Sequence, residues 1–355
     1  MKKMSKTSKN NYINYLIVIV LFAVAQTLSA TGNLSNLMKG LLVPICVYVI
    51  AAISLNLVVG FSGELSLGHA GFMCLGAYSS AIFSQITAEM IPTVPRLILA
   101  VLVGAIVAGV FGALIAIPVL RLRGDYLAIV TLAFGEIIKN LINILYIGVD
   151  ENGIHITTDS ASLKLAAGGK KILKGALGIS GTSTLYKDIK PYFFLIGVIL
   201  ILITLFIVQN LVNSRSGRAI MAARDNRIAA ESIGIHVTKY KLLAFVVSAS
   251  LAGVAGVLYA HNLSMLKVSI FDYNLSIMIL VYVVLGGIGS IRGSIIATII
   301  LYALPELLRG FSTYRMLIYA IVLIVMMLFN WAPAAIEWRK RMVEKMKKIT
   351  KKEAA

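Results

Sequence analysis

Only two of the 355 residues are cysteine and two are tryptophan, and 15 acidic residues stand against 33 basic ones. Cys46 and Cys74 lie in apolar runs, with no CxxC spacing and no histidine nearby. This leaves two small buried thiols and excludes a disulfide framework or a thiolate metal site. The four histidines, His69, His155, His236 and His261, are scattered, so a histidine metal centre is excluded too. No Gly-x-x-x-x-Gly-Lys-[Ser/Thr] occurs, and the chain therefore has no ATP-binding P-loop of its own. Gly-x-Ser-x-Gly and His-Glu-x-x-His are also missing, and nothing supports an enzyme or a bound cofactor.

What is present is apolar. Residues of the hydrophobic set make up 59% and charged residues 14%, against roughly 45–50% and about 25% in soluble chains. Runs of about 18 or more apolar residues are long enough to cross a bilayer. Ten such spans are expected, near 12–30, 41–59, 65–86, 97–119, 126–148, 191–212, 241–260, 274–290, 293–308 and 314–331. The third and ninth are weakest, and eight spans is the competing count. The composition predicts an all-α, polytopic transmembrane bundle of eight to ten spans.

The net charge of +18 does not point to nucleic acid, because the basic residues sit in short loops and tails. With both termini inside, 21 of the 33 basic residues fall on the inner side, the bias expected for cytoplasmic loops. Lys2, Lys3, Lys6 and Lys9 precede the first run and mark a retained first helix rather than a cleaved signal. The expected organisation is an inner tail over 1–11, a transmembrane domain over 12–332 and a basic inner tail over 333–355. The last suits an anionic leaflet, with Trp331 and Trp338 as interfacial anchors. The long outer loop 149–190 reads as a solvated loop or as a docking or gating surface.

Three segments carry function. The most informative is 214–241, a basic, helix-prone island between apolar runs. Ser214 or Ser216 can cap a helix there and Gly234 can end it. Arg224, Arg227 and Glu231 fall on one side and Ala219, Ala223, Ala230 and Ile233 on another, with Arg227 and Glu231 at i,i+4. Bulky lipid-seeking side chains are few on the alanine side, so that face suits close approach to another protein. The second segment, 60–71, places Gly60, Gly63, Glu64, Gly68, His69 and Gly71 in an apolar setting. Glycine permits unwinding or close packing, and charged groups at membrane depth line cavities or pair. A matching cluster, Gly286, Gly287 and Gly289, follows a similar run in the other half and hints at an internal repeat around a transport site. The third segment is 121–139. Arg121, Arg123 and Asp125 belong at the inner boundary, while Glu136 lies near mid-bilayer with Lys139 at i+3.

These segments identify a resemblance. Gly63–Phe72 (GELSLGHAGF), Arg121–Ile137 (RLRGDYLAIVTLAFGEI), Gly217–Lys241 and Leu285–Gly293 (LGGIGSIRG) resemble the LivM-type permease subunits of branched-chain amino acid ABC transporters, over about 40–332. The inner loop resembles the ABC permease pattern Glu-Ala-Ala-x-x-x-Gly, with Ile228 in place of the glutamate, then Ala229, Ala230 and Gly234. The resemblance implies a bacterial cell-membrane protein paired with a LivH-type permease subunit, two LivG/LivF-type ATPases and an extracytoplasmic amino-acid-binding protein. It assigns ATPase coupling to Arg218, Arg224, Arg227, Ala229, Ala230, Glu231 and Gly234. The translocation path would then involve the two glycine clusters, Glu64, His69 and Glu136. The rival reading is an ion-coupled transporter or channel that relays charge through Glu64, Glu136 and His69.

Overall fold

The computed structural model describes residues 6–31, 35–120, 125–151, 153–159, 163, 165, 169–182 and 184–331. The apolar runs become α1 (Lys6–Ala30), α2 (Asn36–Asn56), α3 (His69–Ile86), α4 (Thr93–Val119), α5 (Asp125–Ile144) and α6 (Phe193–Asn213). Two short helices follow, α7 (Arg215–Asp225) and α8 (Arg227–Ser232). The chain then re-enters the apolar body as α9 (Val237–Asn262), α10 (Tyr273–Gly286), α11 (Ile291–Leu307) and α12 (Arg315–Trp331). Each of the ten expected spans meets a helix, and among the described residues eight helical segments are long and apolar enough to cross a membrane. Among the described residues α3 falls short of that measure, as its sequence indicated, whereas the ninth expected span meets it. Helix α1 begins six residues earlier than the expected boundary at 12. The basic tail 333–355, Trp338, Arg121 and Arg123 lie outside the described residues.

Helices α2 and α9 form the centre, where Val47, Ile50, Ile53, Ala252 and Ala255 are fully buried. Small residues set the spacing around them. A Cβ on Gly76 would lie 2.5 Å from Cα of Gly253, so α3 and α9 approach backbone to backbone. Close contact of this kind is how helices associate where lipid offers no hydrophobic drive. Outward, α4 exposes Ile98, Leu102, Ile106 and Leu114, the apolar exterior expected of a chain whose solvent is lipid.

The outer loop is not plain coil. Strands β1 (Tyr146–Asp150), β2 (Gly153–Thr157) and β3 (Lys170–Lys174) form an antiparallel sheet in the order β2-β1-β3, and β4 (Ile179–Ser180) pairs with β5 (Met265–Leu266). This small β layer is an addition to an otherwise helical fold. It is anchored to the bundle. Tyr186 is fully buried, its hydroxyl lies 2.7 Å from Ser84 Oγ, and the Arg96 guanidinium sits 5.0 Å over its ring. Arg96 also donates to the carbonyls of Ala88 and Leu185, and Thr182 donates to those of Ala260 and Leu263.

Two sets of chain segments therefore gather at opposite ends. Residues near 61–64, 213–241 and 289–292 meet at one end, and those near 84–96, 180–186 and 260–266 at the other. This grouping matches the two sides deduced from the basic residues.

Candidate functional site

The site begins where α2 stops being an α-helix. Past Asn56 the chain continues as one π-helical stretch, Leu57–Ser62, and halts at Gly63, whose φ of 72° is left-handed. Residues 64–68 run unwound into α3. The second glycine cluster halts α10 in the same way, with φ of 97° at Gly287 and 79° at Gly289.

The two stops touch. A Cβ on Gly60 would lie 2.4 Å from the Gly289 nitrogen, closer than any side chain tolerates. Asn56 clamps the contact. It is fully buried, its Oδ1 accepts from Gly289 N at 2.9 Å, and its Nδ2 donates to Ser294 Oγ at 2.9 Å. A buried amide with both ends bonded at the meeting of two broken helices is a specific, high-stakes contact. The repeat hinted at by the glycines is in this way a physical junction.

The island 214–241 folds as expected at its ends. Ser214 Oγ accepts from Gly217 N at 3.1 Å and caps α7, and Asn226 Oδ1 accepts from Ala229 N at 3.0 Å and caps α8. Gly234 ends α8 with φ of 84°. Ile235 N donates to Ala230 O and Gly234 N to Glu231 O, both at 3.0 Å, the bond pair of a Schellman stop, which needs a left-handed residue at that point.

One expectation is corrected. The alanine face does not point outward: Ala230 is 2% exposed and packs with Ala223, Val237 and Ile235. Ile220 of α7 joins the main core, while Ala223 and Ala230 form a small core of their own with Val237. Nor does Ile233 share the alanine face as expected, because the chain breaks at Asn226 into two helices: the outward residues are Ala229, Glu231 and, above all, Ile228 at 81% and Ile233 at 76% exposure. Arg218 is also exposed, and Arg227 pairs with Glu231 at 2.9 Å.

Arg224 connects the corner to the junction. Its Nη1 donates to Gly60 O at 2.8 Å, and its Nε and Nη2 both reach Asp225 Oδ1. A Cβ on Gly63 would lie 2.5 Å from Arg224 Cγ, so the π-helical stretch packs on this side chain. Nearby, Glu64 forms an ion pair with Lys241 at the start of α9.

The remaining path candidates lie deeper. The start of α3 docks on α5: Leu67 N donates to Thr131 Oγ1 at 3.0 Å, and a Cβ on Gly68 would lie 2.5 Å from Thr131 O. Glu136 pairs with Lys139, and its Oε1 accepts from Tyr273 N at 3.1 Å, at the first residue of α10. Ala70 N donates to Ser276 Oγ at 3.0 Å. Helices α3 and α10 therefore start side by side against α5, about 16 Å along it by helical rise. His69 is 2% exposed, with Nε2 2.7 Å from Ser54 Oγ, and is a satisfied core histidine rather than a wall residue. Glu64, Glu136 and His69 each bond a different partner, so the structure does not bring the proposed relay together. Asn56, Lys241, Thr131 and Ser276 were missed from sequence. The usable signal was a polar residue inside an apolar run.

A bundle of apolar helices, broken at glycine stops and carrying a capped polar corner at one end, defines the membrane subunit of a transporter rather than a soluble protein. Comparison with known proteins narrows this. Residues 37–329 match the family described as branched-chain amino acid transport system, permease component, and the chain belongs to that family. It is 36% identical over 294 residues to the high-affinity branched-chain amino acid transport system permease protein LivM of Salmonella typhimurium, and 35% identical to its counterpart in Escherichia coli. Each alignment covers 81% of this chain and 67% of the relative. A more distant relative is the nucleoside ABC transporter permease protein NupC of Lactococcus lactis, 25% identical over 57% of this chain and 60% of the relative. No solved structure matches.

Proposed function

We propose that this chain is one of two pore-forming subunits of an ATP-driven, binding-protein-dependent importer of branched-chain or related hydrophobic amino acids. A LivH-type permease subunit supplies the other half of the pore. Two ATPases of the LivG/LivF type dock at the α7–α8 end, which faces the cytoplasm together with both termini, and hydrolyse the ATP for which this chain has no P-loop. The binding protein delivers substrate at the opposite end, where β2 exposes Ile154 and Ile156.

The observation that carries this reading is the polar corner. Exposed isoleucines on a small, separately packed helix have no use in solvent and fit an apolar pocket of a partner. Through Arg224 that same helix pair touches the stop of α2, and through Gly60 the stop of α10. Movement of a docked ATPase would pull on α7, shift the π-helical stretch and rearrange the glycine junction between the broken helices. Such a movement would break and remake the few directional bonds that hold the junction, from Asn56 to Gly289 and to Ser294.

The test is co-purification with the partner subunits. Ile228→Asp with Ile233→Asp should leave membrane insertion unchanged and abolish ATPase co-purification. Normal assembly and uptake in the double variant would reduce the corner to a solvated connector. Uptake of nucleosides in place of leucine by the assembled transporter would overturn the substrate class.

A further inference from the structure

A second polar site lies outside the junction, in the seam between α1, α6 and α11. At the end that carries the α7–α8 corner, the seam holds an open cavity of about 310 Å³. Gln209 of α6 lines it, is 2% exposed, and has no hydrogen-bond partner on either amide atom. Leaving such groups unpaired is costly, so the cavity calls for a polar occupant. Arg292 sets the sign of that occupant. Its Nε donates to Asn14 Oδ1 at 2.5 Å, which holds the guanidinium on the cavity wall. Ser290 caps α11, a 17-residue helix whose positive end opens on the same space. None of the described residues lining the cavity is acidic. Arg292 is the charged side chain among those described lining residues, so the lining suits an anion.

Further along the same three helices the lining turns apolar. A groove of about 250 Å³ runs between Val18, Phe22, Val198, Ile201, Ile295 and Ile299. The order is the same on each helix. Asn14 gives way to Val18 on α1, Gln209 to Ile201 on α6, and Arg292 to Ile295 on α11. A soluble phosphate would use only the cavity and a fatty chain only the groove. A phospholipid joins the two in the order in which they occur.

We propose that this seam binds one anionic phospholipid, with the phosphodiester held by Gln209 and Arg292 and an acyl chain lying along Val198 and Ile295. The occupied seam would clasp α1 to the bundle and brace the Gly289 turn from outside.

The test is native mass spectrometry of the full chain purified in mild detergent, with phosphorus analysis of the retained lipid. The wild type should keep one phosphatidylglycerol-class lipid per chain, and millimolar inorganic phosphate should not displace it. Gln209→Leu, in the cavity, and Ile295→Trp, in the groove, should each retain about tenfold less while eluting as monodisperse protein. Should either aggregate, Asn11→Ala at the cavity rim carries the same expectation in smaller degree. Absence of lipid from the wild type, wild-type retention in the soluble variants, equal retention of a zwitterionic lipid, or displacement by inorganic phosphate would each overturn the proposal.

Discussion

Replacing Asn56 by leucine probes the junction with little change of volume. The variant removes the acceptor that Gly289 N uses and the donor that Ser294 Oγ receives. Ser294 keeps a second bond, from its Oγ to Ser290 O at 3.1 Å, so its loss is partial. The Gly289 amide keeps no such alternative in the contacts made here. Because Gly289 is only partly buried, leaving its amide unpaired falls at the low end of about 1–3 kcal/mol, and the partial loss at Ser294 brings the sum to about 2 kcal/mol. At roughly 1.3 °C per kcal/mol for a chain of 355 residues, the detergent-solubilised chain should melt about 3 °C lower. Uptake should fall further than stability does, because the same bonds hold the glycine stops in register. Asn56→Asp should be worse, since it keeps the acceptor but places a charge at a fully buried position. Thermal melting and radiolabelled leucine uptake, at matched membrane abundance, measure both effects. An Asn56→Leu variant with unchanged melting and uptake within about twofold of wild type, less than 0.5 kcal/mol, would refute the clamp.

Arg224→Ala should insert normally, because the side chain is 37% exposed and its bonds are partly screened. Its substrate-stimulated ATP hydrolysis should drop, and Arg224→Lys should restore little, since a lysine cannot hold Gly60 O and Asp225 with one planar fork; equal stimulation in all three proteins would remove Arg224 from the coupling route. Gly68→Ala should abolish uptake, because its Cβ would lie 2.5 Å from Thr131 O, whereas Gly40→Ala, with no atom within 4 Å of the new Cβ, should transport normally. Cysteines placed at the exposed Ser232 and Ser180, with Cys46 and Cys74 replaced, should be labelled from opposite faces of the membrane; labelling from one face would contradict the grouping of the loops.

Much of the architecture was legible because membrane burial writes itself into composition. The apolar runs gave the helices, and the capping residues gave both ends of the corner. Less legible were features fixed by neighbours far along the chain. Glu64 is paired by Lys241 and Asn56 by Gly289, across separations no local pattern reveals. The direction of Ala230 was misread because a six-residue helix has no amphipathic periodicity to orient it. Its inner face is set by where Gly234 turns the chain toward α9. Strand β2 did leave a trace, the alternation in Gly153-Ile154-His155-Ile156-Thr157, hidden in a loop that looked polar as a whole. His69 stood out as a charged-capable group in a glycine-rich segment, yet Ser54 satisfies it within the core.

The central claim is that this chain forms half of an ATP-driven amino-acid pore. The most direct measurement is uptake into liposomes containing this chain with its homologous permease subunit and two ATPases, supplied with the binding protein outside and ATP inside. The account predicts accumulation of leucine, isoleucine or valine that requires both ATP and the binding protein and vanishes when this chain is left out. Leucine accumulation driven by an ion gradient without ATP, or by this chain alone, would contradict it.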